Sequence, residues 1–296
     1  MTSAETSPRS IDHLVLPTAR LDTARERLSA LGFTVAPNGV HPFGTENACV
    51  YLADGTFLEP LIVGDAEKAR EAVGAGNVFV ARDEEFRRQV GEEGFSALVF
   101  ASDDARADHS AFADAGMSAG EMLAFSRPFV DGVGRADTAS FLLAFAAIGE
   151  AAPFFFACER VNAPDVDRAS LERHDNGVVS IAGVTIVADD PDRIIGKVAT
   201  IAGAAPGNAV ESRRLELSGG AVIDVVDPAA FARHTGTNAP RISGFALAAV
   251  TFRVADPAVA ERLLKANGIG CEKRGGSLIV PAAAGQGAVF MFEEVQ

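Results

Sequence analysis

His13 and Glu59 are the residues whose setting points most directly to chemistry. Each stands in a short apolar run, IDHLVL and TFLEPL. Side chains alternate across a strand, so Ile11, His13 and Val15 are expected on one face of theirs, and Phe57, Glu59 and Leu61 on one face of theirs. An ionised carboxylate in an apolar row is costly unless something pairs with it. A divalent cation would supply a partner, and so would an imidazole. Imidazole plus carboxylate suits Fe, Mn, Ni, Co or Zn, with positions left open for water and substrate. A metal-free His–Glu hydrogen bond inside a binding cup meets the same need.

Other polar residues carry two readings each. His41-Pro42-Phe43-Gly44-Thr45-Glu46-Asn47 is rich in turn formers. It reads as an exposed loop, or as a lid whose His41, Thr45 and Asn47 contact substrate. Arg127, before Pro128, could clamp a substrate carboxylate with two parallel N–H bonds, or form an ordinary salt bridge. His174-Asp175-Asn176-Gly177 reads as a turn before a strand. His109 on an expected helix and His234 in a polar loop read as solvated.

Four repeated segments would position these groups. They run Ile11–Phe33, Phe95–Met117, Ile181–Ala204 and Ala246–Gly270. Each reads as an apolar strand, a polar or acidic cap, an amphipathic helix and a glycine. Asp190-Pro191 and Asp256-Pro257 open the third and fourth helices: aspartate accepts from unpaired N–H groups, and proline at the first helical position loses no hydrogen bond. Gly32, Gly116, Gly203 and Gly268 end the helices. Short β-like runs follow each, for instance Ala48–Leu52 and Thr56–Val63, and Ala139–Phe145 and Pro153–Cys158. One βαβββ unit leaves a sheet face bare, and two units close a curved sheet around a cavity. The expectation is α+β, with four βαβββ units in two curved-sheet domains, 9–160 and 176–296, and adjacent units paired. A ferredoxin-like array of βαβ repeats is the alternative. The segment Asp65–Glu93 is helix-prone and joins units one and two; Arg160–Asn176 joins the domains.

Composition narrows the function classes. A formal charge of −14 over 296 residues repels a phosphate backbone, so no nucleic-acid partner is expected. No apolar stretch has the length of a membrane span. The first ten residues lack the apolar run of a secretory signal and read as a frayed tail, which points to the cytoplasm. The three cysteines, Cys49, Cys158 and Cys271, form no CxxC pair and read as small buried hydrophobes. Walker, G-x-G-x-x-G, G-x-S-x-G and H-E-x-x-H motifs are missing from the sequence.

The runs DHLVLPTARLDTARERLSALGF and GVHPFGTENACVYLADGTFLE resemble the opening of the glyoxalase-like domains of the vicinal oxygen chelate superfamily. SRPF, PFFFACE and HDNGVVSIAGVTIVADDP resemble later landmarks of the same group, in the same order. The resemblance implies metal ligands on the first and fourth strands of a unit, positions that carry His13 and Glu59 here. Ala97 and Phe155 or Phe156 occupy the partner positions in unit two, and Arg160 stands where relatives often have a histidine. Glu159 at the strand end could reach back as ligand or base, and His41 could swing in. In units three and four, Gly183 or Val184, Ala249 and Met291 stand where ligands would be. Only Asp224 remains there, with Arg213 or Arg214 as its expected cross-strand partner.

Two functions stay open. One is a metal-dependent lyase, isomerase or dioxygenase acting on a small oxygenated substrate, with Glu59 or Glu159 as catalytic groups. The other is a metal-free cup that binds or sequesters a small aromatic or hydrophobic compound, with Phe57, Phe154 and Phe156 as walls. Either takes a small-molecule ligand, and a homodimer is compatible with both.

Overall fold

The computed structural model describes residues 8–130, 136–163, 167–206, 210, 213–241 and 244–295. Two curved sheets carry the chain, one from each half of the sequence. The first contains β1 (Ile11–Pro17), β2 (Gly39–Val40), β3 (Thr45–Asn47), β4 (Val50–Tyr51), β5 (Phe57–Val63), β6 (Ala97–Ser102), β7 (Leu123–Val130), β8 (Ala136–Ala147) and β9 (Phe154–Asn162). The second contains β10 (Val178–Ala188), β11 (Arg214–Glu216), β12 (Val222–Val226), β13 (Phe245–Val254), β14 (Glu272–Arg274), β15 (Ser277–Val280) and β16 (Val289–Glu294). Helices α1 (Leu21–Ala30), α4 (Ala105–Asp114), α5 (Pro191–Ile201) and α7 (Pro257–Ala266) follow the first strand of each unit. Helices α2 (Ala66–Gly74) and α3 (Val78–Gln89) fill the expected helical connection, and α6 (Pro228–Thr235) follows β12.

The strand order is β2-β3-β5-β1-β6-β9-β8-β7 in the first sheet, with β4 on β5, and β11-β12-β10-β13-β16-β15-β14 in the second. Adjacent units therefore meet through their first strands: β1 runs antiparallel to β6, and β10 to β13. Within each unit the first strand lies parallel to the last, as β1 does to β5 and β6 to β9. This is the arrangement that two βαβββ units need in order to share one curved sheet.

Local signals account for the helices. The carboxylates of Asp104, Asp190 and Asp256 accept N–H bonds at the starts of α4, α5 and α7. Helix α1 departs from the expected pattern, because Arg20 stands at its cap and makes no side-chain cap bond. The four glycines after the helices hold positive φ, from 64° at Gly116 to 88° at Gly32.

One apolar core joins the two sheets and the helices packed on them. Leu28 and Leu31 of the α1 region, Phe112, Ile195, Val198 and Leu264 lie in it with Phe252, Phe290 and Phe292 of the second sheet. Phe33 packs its ring 5.2 Å from Phe252. The turn at His174–Gly177 is present and clasps the halves together. His174 accepts from Thr34 N–H at 3.0 Å, and its other ring nitrogen lies 2.9 Å from the Tyr51 carbonyl. Asn176 donates to the Leu31 carbonyl at 3.0 Å.

Several elements differ from expectation. Residues 1–7 of the expected tail lie outside the described residues, but Arg9 is packed: its N–H donates to the Ala202 carbonyl at 2.8 Å, and its guanidinium pairs with Asp108. His234 sits on α6 rather than in a loop. The segment from His41 to Asn47 is not an exposed loop: residues 41–44 make a largely buried turn against the sheet. Thr45–Asn47 is a sheet strand on β5, and His41, Thr45 and Asn47 are buried. Strand β7, LAFSRPFV, lies outside the β-like runs read from the sequence, and its Pro128 is tolerated because β7 is the edge of the sheet.

Candidate ligand cavity

The concave face of the first sheet encloses a cavity of about 320 Å³, walled by Phe57, Phe125, Phe141 and Phe156 with His13, Glu59 and Asn47 among its polar groups. Its polar floor comes from β1 and β5, where Val15 stands opposite Glu59 and His13 opposite Phe57. Alternation on β5 works as expected, with Phe57 and Glu59 on the cavity and Leu58 in the opposite core.

Strand β1 does not alternate throughout. Its register with β6 slips between Ile11 and His13, which makes Asp12 an extra residue in the strand. As a result both Asp12 and His13 reach the cavity, whereas Ile11 joins Leu14 and Leu16 in the core behind. The expectation that Ile11 shares the His13 face is corrected by this bulge.

The bulge completes a chain of charges that leads from the exposed Arg160 to the buried Asp12, His13 and Glu59. Arg160 Nη2 donates to Asp12 Oδ2 at 2.7 Å, and Asp12 Oδ1 lies 2.6 Å from His13 Nδ1. His13 Nε2 stands 3.4 Å from Glu59 Oε2, and Asn47 Nδ2 donates to Glu59 Oε1 at 2.6 Å. The His13 ring stacks on Phe57 with centroids 4.2 Å apart and meets the Phe156 edge at 5.5 Å. Buried ions survive only when paired and hydrogen-bonded, and here each has a partner of opposite sign. Burial alone would lower the pKa of His13, but its bonds to Asp12 and Glu59 outweigh that and raise it above the ordinary 6.5. Burial likewise pushes Glu59 up, but the hydrogen bond and charge of His13, with help from His41 and Asn47, bring it down to about 2. Asp12 is also lowered: burial opposes this, and His13 and Arg160 prevail.

A second histidine in the same cavity behaves oppositely. His41 Nδ1 lies 2.8 Å from Thr45 Oγ1, and its Nε2 is 3.7 Å from Glu59 Oε1. Burial dominates, Glu59 offsets only part of it, and the pKa falls to about 4. The ring is therefore neutral at physiological pH. In a histidine NMR titration, the His41 resonance is expected to stay flat down to about pH 5, while His13 titrates above 6.5. A His41 midpoint near that of free histidine would contradict this geometry.

The expected site residues divide as follows. His41, Asn47, Phe57, Arg127 and Phe156 line the cavity together with His13 and Glu59. Thr45 is fully buried behind His41, so it positions that ring instead of facing a ligand. Phe154 packs in the apolar layer behind the wall. Glu159 is a correction: alternation on β9 puts Phe156, Cys158 and Arg160 on the cavity side. The Glu159 carboxylate lies on the other face and accepts the Ala105 N–H at 2.9 Å at the start of α4. The sequence reading missed Asp12, Tyr51 and Arg168 as wall residues. Cys49 and Cys158 also line the wall; burial pushes the Cys49 thiol to about 12 and Cys158 upward too, which leaves both as unreactive thiols.

The donor set falls short of the four positions that the resemblance implies. Val99 opposite Phe156 repeats the register of Val15 opposite Glu59, and Ala97 repeats His13 across the pair β1·β6. Two of the four positions that would converge on an ion are thus apolar. Among the described residues, no group of three or more His, Cys, Asp or Glu side chains could hold one. In the second sheet Asp224 stands opposite Thr185 in the same register, with Gly183, Thr251 and Met291 around it. Its cross-strand partner is Arg214, at 3.6 Å, whereas Arg213 pairs with Asp192.

Residues 11–202 match the family described as glyoxalase-like domain. The chain belongs to the glyoxalase-like domain family. Solved structures with the same fold extend the likeness beyond the matched region. A hypothetical protein from Staphylococcus aureus has a TM-score of 0.61 at 13% identity, covering 96% of this chain and 99% of that one. A mutant 4-hydroxymandelate synthase from Streptomyces coelicolor has a TM-score of 0.59 at 12% identity, covering 98% and 93%. A Mn(II)-bound glyoxalase from Novosphingobium aromaticivorans has a TM-score of 0.51 at 12% identity, covering 97% and 82%. At such identities the likeness establishes the glyoxalase-like fold alone. No curated protein sequence matches the chain.

Proposed function

We propose that this glyoxalase-like protein binds a small molecule with a flat apolar part and an oxygenated part, in the first cavity and without a metal. One observation carries the reading: the His13–Glu59 pair closes on Asp12, Arg160 and Asn47, and Ala97 and Phe156 stand where further donors would be. The phenylalanine walls take the apolar part by stacking. Asn47 and the His41 imidazole take the oxygens. Asp12 fixes the direction of the His13 ring and favours its protonated form. The domain division at 9–160 and 176–296, a cytoplasmic location, indifference to nucleic acid and a homodimer belong to the same proposal. No helix among the described residues is long and apolar enough to cross a membrane.

A second reading rests on the His13 Nε2 to Glu59 Oε2 separation of 3.4 Å, which an ion could bridge. It makes the protein a metal-dependent lyase, isomerase or dioxygenase. Thermal melts with chelator and with added Mn²⁺, Ni²⁺, Zn²⁺ or Fe²⁺ separate the two. A specific site stabilises only the fold that binds it, by mass action. The expected result is the same midpoint with and without each cation. A rise of several degrees in the wild type that His13→Ala abolishes would overturn the metal-free reading.

A further inference from the structure

We propose that the ligand of the first cavity is an aromatic carboxylate, with its anionic group held by Arg127 and Arg168. The inference rests on the binding-cup reading and adds a charge to it. Acidic residues outnumber lysine and arginine by 40 to 26 in this chain, yet three arginines, Arg127, Arg160 and Arg168, line one cavity. Arg160 is committed to Asp12. The guanidiniums of the other two have no hydrogen bond and no carboxylate within ion-pairing distance among the described residues, the nearby wall residue Glu172 included.

Both free guanidiniums are held by aromatic faces instead. Arg127 lies 5.9 Å from the Phe141 centroid and Arg168 lies 4.7 Å from that of Tyr51. A guanidinium stacked in this way keeps its N–H fork for planar oxygens. The two come from distant parts of the sequence, β7 and the segment between the sheets, but serve one place. Both act electrostatically on the Cys49 thiol and the Tyr51 phenol, favouring the ionised form of each. Of the other wall charges, Asp12 pairs with Arg160 and Glu59 with His13, so that the single carboxylate of Glu172 stands against the two guanidiniums. An incoming anion therefore meets two unspent cations beside a set of phenylalanine faces.

Tyr51 provides the measurement. It is the only tyrosine and the chain has no tryptophan, so intrinsic fluorescence comes from the cavity wall. Salicylate, which absorbs where tyrosine emits, is the probe, and neutral salicylamide in mildly acidic buffer is its control. Salicylate is expected to quench Tyr51 with at least tenfold higher affinity than salicylamide. Arg127→Met and Arg168→Met should each weaken salicylate about tenfold and bring the preference close to one, as losing a charge-assisted pair does. Arg127→Lys should keep part of the preference, and circular dichroism checks that each variant is folded. Equal binding of the two probes, or folded methionine variants with unchanged salicylate affinity, would overturn the anion and leave the cup. Failure of both probes to quench would remove the cup as well.

Discussion

Replacing His13 by alanine is expected to lower the unfolding free energy by about 3–5 kcal/mol at neutral pH, the usual cost of removing one member of a buried ion pair. Asp12 would keep Arg160, but Glu59 would keep only the Asn47 amide and a distant His41. The variant should also respond differently to acid. In the wild type the Glu59 pKa lies at about 2, below its ordinary 4.5, so its stabilising contribution is complete above 4.5 and is lost as pH falls toward 2. Without the His13 cation, burial governs Glu59 and its pKa rises above 4.5. Protonation then relieves the variant as pH falls. His13 adds the opposite limb: its raised pKa makes its contribution complete below 6.5 and lost as pH climbs through the folded value. Urea melts of both proteins should show a gap that is widest near pH 5 to 6 and narrows toward pH 3, with other carboxylates cancelling in the difference. A gap that stayed constant across this range would mean that the two side chains are not coupled.

Gly287→Ala is expected to destabilise by about 2–5 kcal/mol, from left-handed strain plus overpacking. Gly287 has φ 66°, and a Cβ there would fall on the Gly94 backbone, 2.8 Å from its Cα. Gly94 cannot retreat freely. Its neighbour Glu93 accepts the Gly285 N–H at 2.8 Å, and Phe95 bridges to Leu247 of the second sheet. The clash therefore strains the junction of the two halves. Gly268→Ala is the matched control, since Gly268 has φ 68° and nothing within 4 Å of an added Cβ. It should cost only the conformational part, roughly 1 kcal/mol. Equal losses in denaturant melts of the two variants would show that the junction yields, contrary to this reading.

Features set by local rules were legible in the amino-acid sequence alone. The aspartates that cap α4, α5 and α7 act within three residues of themselves, and the glycines after the helices serve their own backbone. Strict alternation placed Phe57 and Glu59 on one side of β5 and put His13 and Val15 together. Tertiary structure decided what depends on partners distant in sequence. The bulge that turns Asp12 toward His13 exists only in register with β6, and Arg160 reaches Asp12 from 148 residues away. Pairing with β5 made a buried strand of Thr45–Asn47, whose composition reads as a turn. Arg168 comes from a connecting segment whose own residues carry no sign that it borders the first cavity. The junction between the halves is likewise tertiary, because only the approach of Ala24 to Gly285 and of Gly94 to Gly287 makes a side chain there intolerable. Repeats and caps follow from interactions along the chain, whereas the charge chain and the cavity wall follow from which strands the sheet brings side by side.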